Sequence, residues 1–364
     1  NQKDAPSTVD YSLLWGAINI INTKFIEKPV DQQKALYGAV AGAVSSLGDP
    51  YTAFFPPKDL TNFKTQLKGS FGGIGAEVGK KDGNIVIIAP LDDTPAKRAG
   101  ILAGDFIIKV DGQSVDGWGV DQAVEKIRGP KGTPVILTLY RNGRPKTFDL
   151  TITRETIVVK SVKLSYEDVT VNDQKKSIAI ITMSGFGDDS KTLFDQAVNE
   201  ILTKNVSGII LDLRNNPGGY LQTAVDIASN WVKPGDIVVS EEHSNGTTQK
   251  YNASGNPRLA GIKTLTIING GSASAAEILS GALRDHGIAK LLGEKSFGKG
   301  SVQELVDLPG GSAVKVTVAK WITPGGVNLN HSGLEPDILV KLSEEDINAK
   351  KDVQMDAALD EIIK

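Results

Sequence analysis

The sequence contains no cysteine and has only three histidines, His243, His286 and His331. Without cysteine there can be no disulfide framework, no thiolate metal site and no cysteine nucleophile. Three scattered histidines do not form a metal-binding pattern, so we expect no metal and no cofactor. No apolar run approaches the roughly 20 residues that a membrane-spanning helix requires. The lack of cysteine also suits an oxidising compartment.

The charge is nearly balanced, with 40 basic and 43 acidic residues and a formal net charge of -3. This gives no reason to expect nucleic acid or an anionic membrane as a partner. The first residues lack the charged-then-apolar pattern of a signal peptide. We therefore expect a mature or trimmed chain, in which any membrane association would come through a segment outside this sequence. The length of 364 residues suffices for two or three domains.

Residues 1–66 are predicted to be helical. The first helical stripe consists of Val9, Leu13, Leu14, Ala17, Ile20 and Ile21. A second helix over about 30–47 ends at Gly48-Asp49-Pro50, because a residue before proline is pushed away from helical geometry. The aromatic residues that follow (Tyr51, Phe54, Phe55) are expected to pack against another element. Such an amphipathic arm could be a lid, a dimer contact or a cover for the core, and the sequence does not separate these roles.

Residues 70–156 show short strands and tight turns, which predict a small β-barrel with two helices. Strand-like segments at 74–78 and 84–89 are joined by Asp82-Gly83, and those at 135–140 and 146–152 by Asn142-Gly143; both dipeptides are hairpin signals. A further strand is predicted at 106–110. One helix is predicted to start at Thr94-Pro95, with Thr94 as its cap, and to stop at Gly100. The other covers 120–128.

From about residue 157, strands alternate with helices, as in an α/β layer with parallel strands. Strands are predicted at 177–182, 208–213, 302–307 and 313–321, and helices at 190–204, near Tyr220, and from about Glu344. Ligands of open α/β sheets gather at the carboxyl ends of parallel strands. Two small-residue turns, at 217–219 and 271–275, follow such strands, and we expect them to converge.

The second of these turns precedes a helix predicted from about Ala275, with Gly287 as a C-terminal stop. A serine at such a helix start lies where free backbone N–H groups and the positive end of the helix dipole favour a developing oxyanion. The alternative is that Ser272 or Ser274 merely caps the helix.

Lys299 lies between two glycines, which leave the neighbouring backbone bare and able to approach closely. In an apolar cleft, desolvation would lower the pKa of this lysine and allow it to act as a neutral base. A serine nucleophile needs such a base, and Ser-Lys dyads are known. Phosphate binding is the rival use, but the segment lacks the Walker spacing and a following helix.

The histidines are poor alternatives to a lysine base. His286 lies on or just past the helix that follows Ser274, and its expected role is at the C-terminal end of that helix. His243 and His331 stand in polar, turn-like stretches and are expected at the surface. A histidine triad is therefore disfavoured.

The order of elements over residues 70–156 resembles a PDZ domain. The resemblance is carried by Phe71-Gly72-Gly73-Ile74-Gly75, Ala96 to Gly100, Leu102, Gly104-Asp105 and Asp111-Gly112. It implies that backbone N–H groups of Gly73, Ile74 and Gly75 hold the terminal carboxylate of a peptide, which adds as a strand to the open sheet edge. The alternative is a glycine-rich hairpin without a ligand.

Over essentially its full length, the chain resembles a C-terminal processing peptidase, also called a tail-specific protease. The carrying segments are Gly48 to Thr52, the PDZ block, Asp212 to Gly219, Gly271 to Glu277 and Phe297 to Gln303. The resemblance implies an α/β peptidase core of crotonase/ClpP-like ββα layers with a C-terminal helix (residues 157–364). It also implies an inserted PDZ domain (70–156) and an N-terminal helical region (1–66) that could be a dimerisation arm.

In that family, the nucleophile is the serine between two alanines, which is Ser274 here, and the base is the lysine of the Gly-Lys-Gly loop, Lys299. The spacing of the two agrees with the family. Gln303 matches the residue that orients the lysine. The implied oxyanion donors are the backbone N–H groups of Ala275 and Gly218, with one residue either side of Gly218 left open.

Ser272 remains the competitor for the role of nucleophile, because it lies in the same turn. Ala276 stands where many relatives have another serine, which leaves the dyad intact. Glu277 is shared with the family and is expected to have a structural role near the helix start.

The implied function is a serine endopeptidase that captures unstructured protein C-termini with its PDZ domain and cleaves through an acyl-enzyme. A homodimer and an extracytoplasmic location (periplasm, cell-envelope space or thylakoid lumen) are implied as well. One alternative is a non-catalytic PDZ adaptor on a peptidase-like scaffold, against which the intact Ser274, Lys299 and Gln303 argue. The other is an acyl-CoA-handling enzyme, which the PDZ block and the dyad disfavour.

Overall fold

A computed structural model describes residues 9–27, 29–67, 70–81, 83–91, 93–158, 160–330, 332–343, 345–346, 349 and 351–364. The chain divides into two compact units. The first unit comprises Asn1–Asn62, His243–Thr247 and Ser301–Lys320, and the second comprises Phe63–Glu242, Thr248–Gly300 and Trp321–Lys364. Within the described ranges, every helix is too short or too polar to span a bilayer.

The helices are α1 Ser12–Lys24, α2 Gln32–Ser45, α3 Pro57–Leu67, α4 Pro95–Arg98, α5 Val120–Ile127, α6 Ser190–Thr203, α7 Leu221–Ala228, α8 Ala275–Asp285 and α9 Val353–Ile362. The strands are β1 Ala53–Phe55, β2 Ser70–Gly73, β3 Ala76–Lys81, β4 Asn84–Pro90, β5 Phe106–Val110, β6 Gln113–Ser114, β7 Pro134–Tyr140, β8 Phe148–Thr153, β9 Glu155–Val158, β10 Val162–Val171, β11 Gln174–Met183, β12 Gly208–Asp212, β13 Ile237–His243, β14 Thr248–Asn252, β15 Thr264–Ile268, β16 Ala289–Gly293, β17 Ser301–Leu308, β18 Ser312–Ile322 and β19 Ile338–Leu339.

In the first unit, the two predicted N-terminal helices are present and β1 pairs antiparallel with β18. The ring of Phe54 packs against Tyr37 of α2, at 5.5 Å between centroids, so the expected aromatic packing is confirmed for Phe54. Helix α1 buries none of its residues. Its hydrophobic side chains are exposed, with Leu13 at 80%, Trp15 at 62% and Ile20 at 58% of their surface.

The Gly48-to-Thr52 motif acts as a clamp within the first unit. The carboxylate of Asp49 accepts hydrogen bonds from the hydroxyls of Thr52 and Thr317, both at 2.6 Å. The Thr52 hydroxyl in turn accepts from the Thr317 N–H at 3.0 Å. Thr317 of β18 is paired across the hairpin with Gln303 of β17. The motif therefore fixes the strand pair that carries Gln303.

Residues 76–153 of the second unit form the expected small barrel. Strands β3, β4, β5, β7 and β8 follow one another in a single sheet, with β6 paired to β5, while β2 and β9 form a separate pair. The sheet and both helices surround one apolar core (Ile74, Ile85, Ile87, Ala96, Ile101, Ile107, Ala123, Ile127, Val135, Leu137, Leu139 and Ile152). The antiparallel pairing of β7 and β8 is confirmed, with Asn142-Gly143 in the loop between them. Strand β8 begins at Phe148 and not at residue 146, so the turn is longer than predicted. Asp82 lies outside the described residues.

The strand predicted over residues 74–78 is wrong at its start. Strand β2 ends at Gly73 and β3 begins at Ala76, with Ile74 and Gly75 in a loop between them. Gly75 has a φ of +74°, which ends extended pairing and suits glycine. The carbonyl of Ile74 accepts from the N–H of Ala96, and that of Gly75 from Leu91.

Thr94 does not cap α4 with its side chain, contrary to the prediction. Its hydroxyl donates instead to the carbonyl oxygens of Gly75 at 2.9 Å and Leu91 at 2.6 Å. The side chain therefore holds the glycine-rich loop instead of the first turn of the helix.

The peptidase-like part of the second unit is a six-stranded sheet in the order β10-β11-β12-β15-β16-β19. Strands β10 and β11 form an antiparallel hairpin, and every other neighbouring pair is parallel. All residues of β12 and β15 are buried, as expected for strands covered on both faces. The sequence analysis did not predict β10 or the β13–β14 hairpin. Strand β14 is mostly polar and exposed, so it lacks an apolar face.

Helix α9 covers Val353–Ile362. The closing helix was expected from about Glu344, which lies outside the described residues. Asp352 caps α9 by accepting from the N–H of Met355 at 3.0 Å, a role for which aspartate is favoured. The same carboxylate accepts a bidentate pair of hydrogen bonds from Arg214. Ala358 and Ile362 of α9 complete the core of the sheet.

Candidate active site

Three segments of the second unit follow neighbouring parallel strands and meet at one edge of the sheet. One follows β12 and contains Gly218, one follows β15 and contains Ser274, and one follows β16 and contains Lys299. Because the strands are parallel and adjacent, their carboxyl ends lie side by side, which is where α/β sheets bind ligands. The expected convergence of the first two segments is present, and the third joins them.

Ser274 occupies a strained position at the start of α8. Its φ and ψ angles are 55° and -116°, a combination that is costly for a residue with a Cβ and is found mainly at functional sites. The side chain is half-buried, whereas α8 is buried from Ala275 to Leu283. No acceptor among the described residues takes the N–H of Ala275. The turn thus presents a serine beside a free helix N-terminal donor.

Ser272 is fully buried and its hydroxyl is engaged in the fold. The hydroxyl donates to the carbonyl oxygen of Leu213 at 2.8 Å and accepts from the N–H of Asn269 at 3.0 Å. It therefore joins the ends of β15 and β12. This side chain supports the turn, and Ser274 is the more accessible of the two serines.

The turn after β12 packs directly against Ser274. A Cβ at Gly218, where φ is +96°, would lie 2.8 Å from the Cβ of Ser274 and 2.9 Å from the nitrogen of Ala275, so this backbone contact requires glycine. Asn216, fully buried, holds the turn. Its side chain accepts from the N–H of Gly218 and donates to the carbonyl of Met183, and its own carbonyl accepts from Ala273.

The lysine segment is held by its glycines. Gly298 has a φ of +86°, and a Cβ at Gly300 would lie 1.9 Å from the backbone nitrogen of Asn330. Both glycines are buried while the Lys299 side chain is half-buried and Phe297 is exposed. The N–H of Phe297 donates to the carbonyl of Ser272 at 3.0 Å, which attaches this segment to the serine turn.

Glu277 links the nucleophile candidate to the base candidate. Its carboxylate is completely buried. The oxygen Oε2 accepts the backbone N–H of Ser274 and that of Lys299, both at 2.9 Å. The two backbone N–H groups therefore donate to the same oxygen atom. The structure thus brings Ser274 and Lys299 to the same place in the fold.

The other carboxylate oxygen of Glu277 accepts from the N–H of Gly298 at 2.8 Å and from the hydroxyl of Ser296. Burial raises the pKa of Glu277, and the hydrogen bonds from Ser296, Gly298, Ser274 and Lys299 act in the opposite direction. Since all four partners donate, the site is built for the ionised carboxylate.

His286 lies at the opposite end of α8 from Ser274. His286 is the C-cap residue of α8, where its Nε2 atom contacts the carbonyl of Ile237 at 2.7 Å, as expected from the sequence. His243 ends strand β13, and His331 lies outside the described residues. Among the described residues, no group of acidic or histidine side chains could hold a metal ion.

Gln303 belongs to the first unit, on β17. Its side-chain amide donates to the carbonyl of Ser301 at 3.0 Å and to the hydroxyl of Ser301 at 2.7 Å. The amide is therefore turned back along its own strand toward the start of β17.

Sequence reasoning missed the supporting roles of Asn216, Asn269 and Ser296. Asn269 accepts from the N–H groups of Asn215 and Gly271 and so ties the two turns together. A signal for Glu277 was present, since serine followed three residues later by glutamate is the pattern of a capping box. No local sequence pattern predicts that Asn216 and Asn269 join separate segments, because the residues they join are distant in the chain.

The fold and the site together define a class, that of serine-type peptidases with an α/β core and a PDZ domain. The model of peptidase family S41 matches residues 177–340, and a PDZ domain model matches residues 86–141. The chain is 37% identical over 325 residues to the carboxy-terminal processing protease CtpB of Bacillus subtilis, covering 89% of this chain and 66% of that relative.

It is also 36% identical over 325 residues to the carboxy-terminal-processing protease of Bartonella bacilliformis, covering 88% of this chain and 73% of the relative. Among solved structures, the photosystem II D1 C-terminal processing protease matches with a TM-score of 0.59 and 31% identity, covering 90% of this chain and 86% of that one. The chain belongs to the carboxy-terminal processing proteases of peptidase family S41. It spans about two thirds of the length of CtpB.

Proposed function

We propose that this protein is a serine endopeptidase that binds the C-terminal tail of protein substrates in its PDZ domain and cleaves peptide bonds with a Ser274–Lys299 dyad. The observation that carries the proposal is the strained Ser274, whose backbone shares one carboxylate oxygen with the backbone of Lys299. Family membership supports the reaction class.

In the proposed reaction, the Oγ atom of Ser274 attacks the carbonyl carbon of the scissile bond while neutral Lys299 takes the hydroxyl proton. The tetrahedral intermediate collapses as the C–N bond breaks, and the lysine ammonium returns the proton to the leaving amine. The resulting ester is then attacked by water, with Lys299 again accepting and returning a proton. This regenerates Ser274 and releases the second product as a carboxylic acid.

The oxyanion would be held by the N–H of Ala275 and by an N–H of the turn at Gly218. The free N–H of Ala275 and the contact of Gly218 with Ser274 support this. Since the N–H of Gly218 already donates to Asn216, either that bond opens in the reaction or the donor is Gly219. Gly219 is one of the two neighbours of Gly218 that the sequence analysis left open as oxyanion donors.

Gln303 is assigned the role of orienting the lysine, and the family motif supports this role. The clamp of Asp49 on Thr317, the cross-strand partner of Gln303, would then hold the strand that carries Gln303. The Gly48-to-Thr52 motif would thus stabilise the strand of a residue that is proposed to act in catalysis.

The carboxylate-binding loop of the PDZ domain is assigned to Gly73, Ile74 and Gly75. The carbonyls of Ile74 and Gly75 are held by Ala96, Leu91 and Thr94, which orients the peptide planes of the loop. No acceptor among the described residues takes the N–H of Ile74 or that of Gly75. Buried N–H groups without an acceptor are ready donors for a carboxylate.

Substrates with a free C-terminal carboxylate should be cleaved about tenfold more efficiently than the same peptides with a C-terminal amide, because a charge-assisted bond to the loop is lost. The Gly75→Ala variant should lose this preference, since its Cβ would lie 2.4 Å from the Cβ of Thr94 at a φ of +74°. The measurement is kcat/KM for both peptides. Gly143→Ala is the matched control, with a φ of +88° and open space. An equal preference in Gly75→Ala and wild type would contradict the assignment.

A homodimer that uses α1 is also proposed, because hydrophobic side chains along that helix are exposed (Leu13, Leu14, Trp15, Ile20, Ile21). Contiguous exposed apolar surface of this kind marks interaction sites. Light scattering should give a dimeric mass for the wild type and a monomeric mass for Leu13→Asp, which places a charge on the face that Leu14, Ile20 and Ile21 share. Asn19→Asp adds the same charge to the same helix and should remain dimeric. A monomeric wild type would refute the dimer.

The remaining assignments rest on the resemblance. They are a helical arm at 1–66, a PDZ domain at 70–156 and a peptidase core at 157–364. An extracytoplasmic location, with attachment to a membrane through a segment outside this sequence, belongs to the same set. The absence of cysteine agrees with that location.

Incubation with an unstructured peptide tests the function directly. Cleavage, followed by mass spectrometry, is the expected result. Binding without cleavage would instead establish the non-catalytic adaptor, and neither binding nor cleavage would refute both.

A further inference from the structure

We propose that Glu277 is a positioning residue that holds Ser274 and Lys299 at a fixed separation, with Ser296 completing its hydrogen bonds. The inference rests on the proposed Ser-Lys chemistry. Glu277 lies at the third position of α8, where a helix cap alone would require one bond, from the N–H of Ser274. That bond is present at 2.9 Å.

The other three hydrogen bonds of Glu277 serve the lysine segment. Their donors are Ser296, Gly298 and Lys299, which lie 19, 21 and 22 residues further along the chain. A residue that only capped the start of a helix would not need these three hydrogen bonds. The carboxylate thus bridges the serine turn and the lysine segment, in addition to the backbone hydrogen bond from Phe297 to Ser272.

A carboxylate suits this position better than an amide. All four partners are donors, and an ionised carboxylate accepts at both oxygens. The amide of glutamine would direct its own N–H groups at two of these donors, which would leave them without an acceptor. Burial of the charge is tolerable because each oxygen receives two hydrogen bonds.

Ser296 connects the hydrogen bonds of Glu277 to a third segment, at Leu334. Its hydroxyl donates to Glu277 and accepts from the N–H of Leu334 at 2.7 Å, and its own N–H donates to the carbonyl of Leu334 at 3.0 Å. The lysine segment is therefore held from both sides. Because the backbone N–H groups of Ser274 and Lys299 donate to Glu277, loss of these hydrogen bonds should displace both residues.

The decisive variant is Glu277→Gln. We expect kcat on an unstructured peptide to fall about 10²-fold with KM changed by less than about threefold, because a misplacement near 1 Å can cost that much in rate. Hydrogen exchange at the amides of Gly298 and Lys299 should accelerate in parallel. The matched control is Asp285→Asn, at the other end of α8, whose half-buried carboxylate accepts from the N–H of Gly325 at 2.8 Å. It should retain kcat.

A pair of variants at Ser296 keeps the test open if Glu277→Gln does not fold. Ser296→Ala should lower kcat about tenfold, and Ser296→Thr, which keeps the hydroxyl, should restore it. Ser280→Ala is the control, since it removes a buried hydroxyl of α8 that has no hydrogen-bond partner among the described residues.

The proposal is overturned if Glu277→Gln keeps wild-type kcat, or if Ser296→Ala and Ser296→Thr lose the same activity. A wild-type protein that neither cleaves peptides nor reacts with a fluorophosphonate would refute the proposed function instead. In that case the exchange rates at Gly298 and Lys299 still test the positioning role of Glu277. Slow exchange of these amides in Glu277→Gln would contradict that role.

Discussion

Ser274→Ala is expected to abolish peptide cleavage, with kcat falling about 10⁴- to 10⁶-fold, as occurs when one member of a catalytic unit is removed. Lys299→Ala should cost about as much, and the double variant little more, because the two side chains act in one proton transfer. The measurement is single-turnover cleavage of an unstructured peptide, with circular dichroism to establish folding.

Two further variants make this prediction specific. Lys299→Arg should be as inactive as Lys299→Ala, because a guanidinium stays protonated and cannot act as a base. His286→Ala should keep its activity, since that side chain contacts Ile237 at the far end of α8. Near wild-type cleavage by Lys299→Ala, together with loss in His286→Ala, would show that the dyad is assigned wrongly.

Gly218→Ala is expected to lower kcat/KM by about 10²- to 10³-fold, the loss seen when an oxyanion donor is removed. The added Cβ would lie 2.7 Å from the carbonyl oxygen of Ala273 and 2.8 Å from the Cβ of Ser274. The turn must shift, and the donor and nucleophile shift with it. Steady-state kinetics with one peptide provides the measurement.

Gly235→Ala separates this steric effect from backbone strain. Gly235 has nearly the same φ, +91° against +96°, but no atom lies within 4 Å of its added Cβ. Its substitution should cost roughly 1–2 kcal/mol of folding free energy and leave kcat/KM unchanged. Equal kinetic losses in both variants, or none in either, would contradict the proposed contact between the Gly218 turn and Ser274.

Much of the fold followed from local pattern. An unbroken apolar run indicated the buried strand at Gly208–Asp212, and asparagine with glycine marked the loop of the β7–β8 hairpin. The family resemblance rested on short ordered motifs, and the matches to peptidase family S41 and to PDZ domains confirm it. These signals are local because periodicity and turn chemistry depend on neighbours in the chain.

Other features could not be inferred from neighbours. The hydroxyl of Thr94 was expected to cap a helix, yet it bonds the loop at Gly75. The family resemblance favoured Ser274 over Ser272, but the local pattern gave no physical reason for the choice, because both stand in one small-residue turn. Their difference depends on Leu213, which arrives from another strand and takes the hydroxyl of Ser272.

The sequence by itself determined the class of protein, the order of its domains and the pair of residues proposed for catalysis. The tertiary structure decided how the candidate site is supported: Asn216 under the Gly218 turn, and Glu277 between Ser274 and Lys299. The physical reason lies in the parallel sheet. Its adjacent strand ends come from distant parts of the chain, so the hydrogen bonds that join them exist only after the strands have assembled.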